Sequence, residues 1–168
     1  MPGHDLSLST LAVGAGRPAR TPGGPLNAPI TLASALVPGG DSEYGRHGNP
    51  AWDAFETALG ALEGGQALAF ASGQAAAAAV IDLVPLHGVV VAPEHAYSGT
   101  LVQLNDRARR GMLELRLVDV TDLEAIRKAS DGAALVWMES PTNPMLDVAD
   151  LEAIAGITTS TGTALAVD

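Results

Sequence analysis

A layered α/β domain built on a mostly parallel sheet is the fold class the sequence predicts, and three observations predict it. From about residue 49 onward, short apolar runs alternate with longer segments of helical spacing, as parallel strands require, because each must be reached through a crossover helix. Residues that start and stop helices bracket the longer segments. The 168-residue chain is 47% hydrophobic and 17% charged, enough apolar content to bury a core without a disulfide or a structural metal.

Residues 1–43 are rich in Gly, Pro, Ser and Thr and show no sustained period, which predicts an extended arm reaching a neighbouring subunit, with a loosely ordered terminus as the alternative. Residues 44–168 then read as one α/β domain. Asn49 predicts a helix cap with Pro50 in first position, Trp52, Phe55, Leu59 and Leu62 follow at helical spacing, and Gly64-Gly65 stops the helix. The apolar run Gln66 to Ala71 predicts a strand, and Ser72-Gly73 opens a helix through Ala75 to Val84. Further strands are predicted over Val89–Ala92, Leu113–Val118, Ala133–Met138 and Ala164–Asp168. Helices fall between them, from about Gly99 to Arg110, from Thr121, and from about Val148 to Ser160. Ending on a strand with no helix to cover it, the sequence reads as the front of a longer domain.

Composition excludes several chemistries. The absence of cysteine removes disulfides, thiolate metal sites and cysteine nucleophiles. A formal net charge of -10 argues against nucleic acid as a partner, and Arg107, Arg109 and Arg110 read as a solvated helix end. There is no run of the roughly 18 apolar residues that cross a bilayer and no secretory start, so no membrane is expected and the cytoplasm is the default. His47, His87 and His95 lack metal-ligand spacing, so no metal is expected. No Gly-x-Gly-x-x-Gly follows a strand and no phosphate-binding Gly-Lys-Ser/Thr loop exists, which leaves dinucleotide and nucleotide-hydrolase readings without support.

In an open α/β sheet, ligands collect beyond the carboxyl ends of the strands, where helix amino termini converge. The polar residues predicted there are Ser72-Gly73-Gln74, the segment from Glu94 to Thr100 with Tyr97, the segment from Glu139 to Asn143, and Asp168. Ser72-Gly73-Gln74 suits a phosphate, because backbone amides and a helix dipole are free there, and it reads equally as a plain cap with a glycine turn. Tyr97 is a core-edge tyrosine or a flat ring awaiting another ring. Asn143 sits in a proline-flanked turn, and Asp168 is a helix cap or a carboxylate facing a cationic ring nitrogen.

Together these residues carry a resemblance. The segments YGRHGNPAWDAFETALGALEGGQALAFASGQAA, PEHAYSGT, ESPTNPMLDVADLEAIA and AVD occur in order over about residues 44–168. They resemble the Cys/Met-metabolism group of pyridoxal-phosphate enzymes, which includes cystathionine γ-lyase and cystathionine γ-synthase. The resemblance implies a fold-type-I, transferase-like large domain with helices on both faces of the sheet, here only its first part. It implies pyridoxal 5'-phosphate as cofactor, a small sulfur amino acid as substrate, and transsulfuration by γ-elimination or γ-replacement. It also implies a homotetramer, a dimer of dimers with sites shared between subunits.

Residue by residue, the resemblance implies that Ser72, Gly73 and Gln74 hold the phosphate and that Tyr97 stacks on the pyridine ring. Asn143 would bond the ring hydroxyl oxygen, Asp168 would pair with the protonated ring nitrogen, and Tyr44 and Arg46 would reach the phosphate in a neighbouring subunit. Gln74 replaces the family's usual methionine, and Ala51 its usual Thr or Ser. The family's Schiff-base lysine lies beyond the position that Asp168 matches. Lys128, the single lysine in the chain, reads as a solvated helix residue. An inactive member of the same fold is therefore the alternative expectation.

Overall fold

A computed structural model describes residues 6–40 and 42–168, in two compact units that divide the chain after Phe70. Residues 1–5 and Asp41 of the expected arm lie outside the described residues. The first unit holds α1 (Leu8–Gly14) and α2 (Pro50–Glu63). α1 corrects the expectation of a wholly extended arm. Ser7 caps it by accepting the Thr10 N–H, and beyond its end Gly16, at φ +73°, lies so near the Ala54 carbonyl of α2 that no Cβ would fit.

α2 follows from its sequence signals. The Asn49 side-chain oxygen accepts the Ala51 N–H at 2.9 Å, Pro50 takes the first helical position, and Gly64 closes the helix in the left-handed region at φ 67°. Asn49→Ala is expected to lower stability by about 1 kcal/mol through loss of that cap, read as a lower denaturant midpoint with unchanged slope.

The strand expected over Gln66 to Ala71 does not form. Up to Phe70 the segment has no regular structure and lies against α2: the Ala69 N–H donates to Glu56 Oε1 at 2.6 Å, and a Cβ on Gly60 would stand 2.8 Å from the Gly65 carbonyl oxygen. Among the described residues no strand pairs with this apolar run, and its backbone is satisfied in part by a side chain.

The second unit follows the predicted alternation. Its elements are α3 (Gly73–Ile81), β1 (Gly88–Pro93), α4 (Ser98–Arg109), β2 (Leu113–Val118), α5 (Leu123–Ala129), β3 (Leu135–Met138), α6 (Leu151–Thr161) and β4 (Ala164–Val167). All pairings are parallel, in the order β2-β1-β3-β4. The two-residue period of the strands sorts their side chains by face. Val91, Val136 and Met138 pack with Ile126 of α5 and with Ile154 and Ile157 of α6. On the other face Val90, Ala92, Leu135 and Trp137 pack with Ala77 and Ile81 of α3 and Leu104 of α4.

Helix ends differ from expectation by a few residues, each for a local reason. α3 ends at Ile81 rather than Val84, with Asp82 as its last cap. α5 starts at Leu123 rather than Thr121, because Asp122 caps it by accepting the Glu124 and Ala125 N–H groups. Thr121 instead donates its N–H and hydroxyl to Asp119, at 2.8 and 2.7 Å, holding that exposed carboxyl below the ordinary aspartate range. α6 starts at Leu151 rather than Val148, with Asp150 as its cap. Among the described residues no helix is long and apolar enough to cross a membrane.

The strand order places the site. From β1 the chain moves outward to β2, then returns past β1 to β3 and β4. The loops after β1 and β3 therefore leave in opposite directions and open a crevice between them at the carboxyl edge of the sheet.

Candidate functional site

Six residues singled out in the sequence line one cavity at that edge. Ser72, Gly73, Gln74, Tyr97, Asn143 and Asp168 surround a volume of about 570 Å³, with Glu139 and Ser140 in its wall. Ser72 caps α3, its hydroxyl accepting the Ala75 N–H at 3.1 Å. The next two amides, of Gly73 and Gln74, have no acceptor among the described residues. Two unpaired amides at the positive end of a helix form a seat for an anion.

Tyr97 leads into α4 and is 45% exposed, so one part of its ring is free to meet a ligand. Its backbone N–H donates to Glu139 Oε2 at 2.7 Å, tying the loop after β1 to the loop after β3 across the crevice. Glu139 is only 7% exposed. The sequence marks it as a polar residue at a strand end, and the only hint of this bond is an acidic residue directly after the buried strand LVWM.

Asn143 stands exposed on a turn that closes on itself. Thr142 N–H donates to the Asp147 carbonyl at 2.9 Å, Asp147 N–H to Thr142 Oγ1 at 3.0 Å, and Ala149 N–H to Ser140 Oγ at 3.1 Å. Asp168 continues the pairing of β4, its N–H donating to the Met138 carbonyl at 2.9 Å, and its exposed side chain is left to the cavity.

Gly99 is a contributor that sequence reasoning missed. A Cβ there would stand 2.8 Å from both Gln74 Cδ and Tyr97 Cε1, so any larger residue would push one of these two side chains aside. The donor set fits a phosphorylated pyridine. The amides would suit its anion, the aromatic ring its ring, the carboxamide its hydroxyl and the carboxylate its basic nitrogen.

Tyr44 and Arg46 belong to the first unit. Tyr44 bridges Ala35 in a short antiparallel contact, with the Gly45 N–H donating to the Ser34 carbonyl at 2.7 Å. The Arg46 guanidinium lies 4.9 Å from the centre of the Tyr44 ring, and both side chains are exposed. Lys128 is exposed in the last turn of α5. A crossover helix runs back against its strands, so that turn lies at the amino edge of the sheet, away from the cavity.

Residues 9–168 match the family described as Cys/Met metabolism PLP-dependent enzyme. The chain belongs to this family. It is 34% identical to the cystathionine gamma-lyase of Dictyostelium discoideum, over 98% of this chain and 45% of that protein. To the cystathionine gamma-synthase of Mycobacterium tuberculosis (strain H37Rv) it is 35% identical, over 95% of this chain and 44% of that one. Among solved structures, metB from Corynebacterium glutamicum superposes with a TM-score of 0.88 at 31% identity, over 98% of this chain and 45% of that one. The cystathione gamma lyase CalE6 from Micromonospora echinospora superposes with a TM-score of 0.86 at 34% identity, over 97% and 45%. The fold-type-I expectation thus holds, pyridoxal phosphate is the family's cofactor, and the chain spans a little under half the length of the curated relatives it matches.

Proposed function

We propose that the protein, at its natural length, carries out pyridoxal-phosphate-dependent transsulfuration: γ-elimination or γ-replacement on cystathionine or an activated homoserine. The observation that carries this reading is the gathering of a phosphate turn, an aromatic ring, a carboxamide and a carboxylate around one cavity. The match to the Dictyostelium lyase, over 98% of the chain, supports elimination as the direction to test first. A cytoplasmic setting, where free sulfur amino acids are available, is part of the proposal.

When bound, pyridoxal phosphate supplies an electron sink that acidifies the substrate Cα–H. The chain's own residues prepare for that. The Gly73 and Gln74 amides and the α3 dipole hold the phosphate, and Tyr97 supports the ring face. Asn143 donates to the ring hydroxyl oxygen. Asp168 keeps the proton on the ring nitrogen, since a carboxylate close by favours the cationic form. Tyr44 and Arg46 reach the phosphate in a neighbouring subunit, so the working unit is a dimer or a dimer of dimers with shared sites.

The test is an assay of the natural-length protein loaded with pyridoxal phosphate. Release of 2-oxobutanoate and cysteine from L-cystathionine is the expected result for elimination, and cystathionine formation from O-succinylhomoserine and cysteine for replacement. Absence of both products overturns the proposal. The 168-residue chain by itself is expected to be catalytically silent, its one lysine lying far from the cavity. It should therefore acquire no stoichiometric, borohydride-fixed pyridoxal phosphate, and labelling of Lys128 would contradict this.

A further inference from the structure

Behind the phosphate turn lies a chain of polar side chains outside the cavity. Gln103 of α4 donates from Nε2 to Gln74 Oε1 at 2.7 Å and to the Gln74 carbonyl at 3.2 Å. Arg107, one turn on, donates from Nη1 to Gln103 Oε1 at 3.2 Å and from Nη2 to Asp82 Oδ1 at 2.7 Å. Gln74 Nε2 in turn donates to Oγ1 of the fully buried Thr100 at 3.4 Å.

The direction of these bonds is determined by chemistry. A guanidinium only donates, so Gln103 must turn its carbonyl toward Arg107 and its NH₂ toward Gln74. Gln74 must then offer its own carbonyl to Gln103 and its NH₂ to Thr100. Nothing in the chain is free to flip. The two ends of the relay also sit on one helix, with Gln74 in the first turn of α3 and Asp82 its last cap, while Gln103 and Arg107 sit on α4. The relay therefore clamps α3 to α4 at both ends, and the Gln74 and Tyr97 side chains both lie close over Gly99.

α3 carries the anion seat at its amino terminus, and α4 follows directly from Tyr97. A clamp between these helices sets the spacing between the place for a phosphate and the place for a ring. We propose that Gln103 is a positioning residue for the cofactor's phosphate: through the relay from Asp82 and Arg107 to Gln74, it holds the Gly73 and Gln74 amides at the distance from Tyr97 that a phosphorylated pyridine requires. The proposal rests on the cofactor reading above and extends it to residues that touch no ligand. The Asp82–Arg107 pair, exposed on its Asp82 side, adds little stability by itself. Its part is to orient Gln103.

The experiment measures equilibrium affinities of pyridoxal 5'-phosphate and of pyridoxal, which lacks the phosphate, for the natural-length protein and for Gln103→Leu, Gln74→Met and the double variant. Leucine and methionine keep the approximate volume; leucine at 103 removes both bonds to residue 74, and methionine at 74 removes the side-chain bonds and keeps the main-chain acceptor. Gln103→Leu is expected to weaken pyridoxal 5'-phosphate about tenfold, the scale of one well-placed hydrogen bond, and to change pyridoxal by less than about twofold. In the Gln74→Met background the same substitution should cost clearly less than in the parent, because only the bond to the main-chain carbonyl of residue 74 is left to lose. Gln103→Glu, which can accept from Arg107 but cannot donate to Gln74, should behave like Gln103→Leu and serves if the leucine variant does not fold.

Equal weakening of both ligands, or full additivity in the double variant, overturns the positioning role and leaves the cofactor reading intact. A parent protein that binds pyridoxal as tightly as its phosphate ester overturns both.

Discussion

Asp168→Asn in the natural-length protein is expected to lower kcat by about a thousandfold while cofactor stays bound, the scale seen when one preorganised charge partner is removed from a catalytic site. The main-chain bond of Asp168 to the Met138 carbonyl does not involve the side chain, so the end of β4 keeps its register. The phosphate seat on α3 is untouched. In the proposed role, what is lost is the negative charge that would keep a proton on the ring nitrogen, and asparagine, similar in shape, cannot replace it. Steady-state kinetics together with the cofactor absorbance of the purified variant check this. A kcat near that of the parent would remove the role assigned to Asp168, and loss of cofactor at normal intrinsic turnover would reassign it to binding.

Arg46→Ala is the second large effect, expected at about a hundredfold in activity if its guanidinium pairs with a phosphate, since truncating one partner of such a charge pair costs about 2–5 kcal/mol. The exposure of Arg46 and Tyr44 on the first unit leaves both side chains available to another subunit. A mixing experiment decides which subunit's site they serve. Arg46→Ala and Asp168→Asn proteins, each nearly inactive, are combined in equal amounts and allowed to exchange subunits. If each site takes Asp168 from one subunit and Arg46 from its neighbour, half of the chains pair as mixed dimers, and each mixed dimer has one intact site. Activity then returns to about a quarter of the parent level, as two-fold symmetry requires. No recovery after demonstrated exchange would place Arg46 in its own subunit's site.

Several elements were legible because their signals are local. Asn49-Pro50 and Gly64 bound α2 through bonds and backbone angles spanning a few residues. The strands β1 to β4 were readable because short apolar runs sit between helices with recognisable caps, and each such run found a parallel partner. The polar residues at the carboxyl ends of the strands could be named in advance for the same reason: position along a βα unit places them at one edge of the sheet.

The run from Gln66 to Ala71 shows where local signals end. Its composition is that of a strand, but a strand exists only when another offers it hydrogen bonds, and among the described residues none does. The short helix α1 is the converse case, a segment without a sustained period that becomes helical where Ser7 caps it and Gly16 allows close approach to α2. Sequence by itself determined the family motifs, the Asn49 and Ser72 caps and the alternation of helices and strands from Gly73 onward. Only the tertiary structure decided that β1 and β3 are neighbours, that Glu139 holds the Tyr97 amide across 42 residues of chain, and that Gln103 reaches Gln74 across 29. Bonds of that span depend on strand order and helix packing, which are set by burial on the two faces of the sheet and leave no period or spacing in the residues that make them.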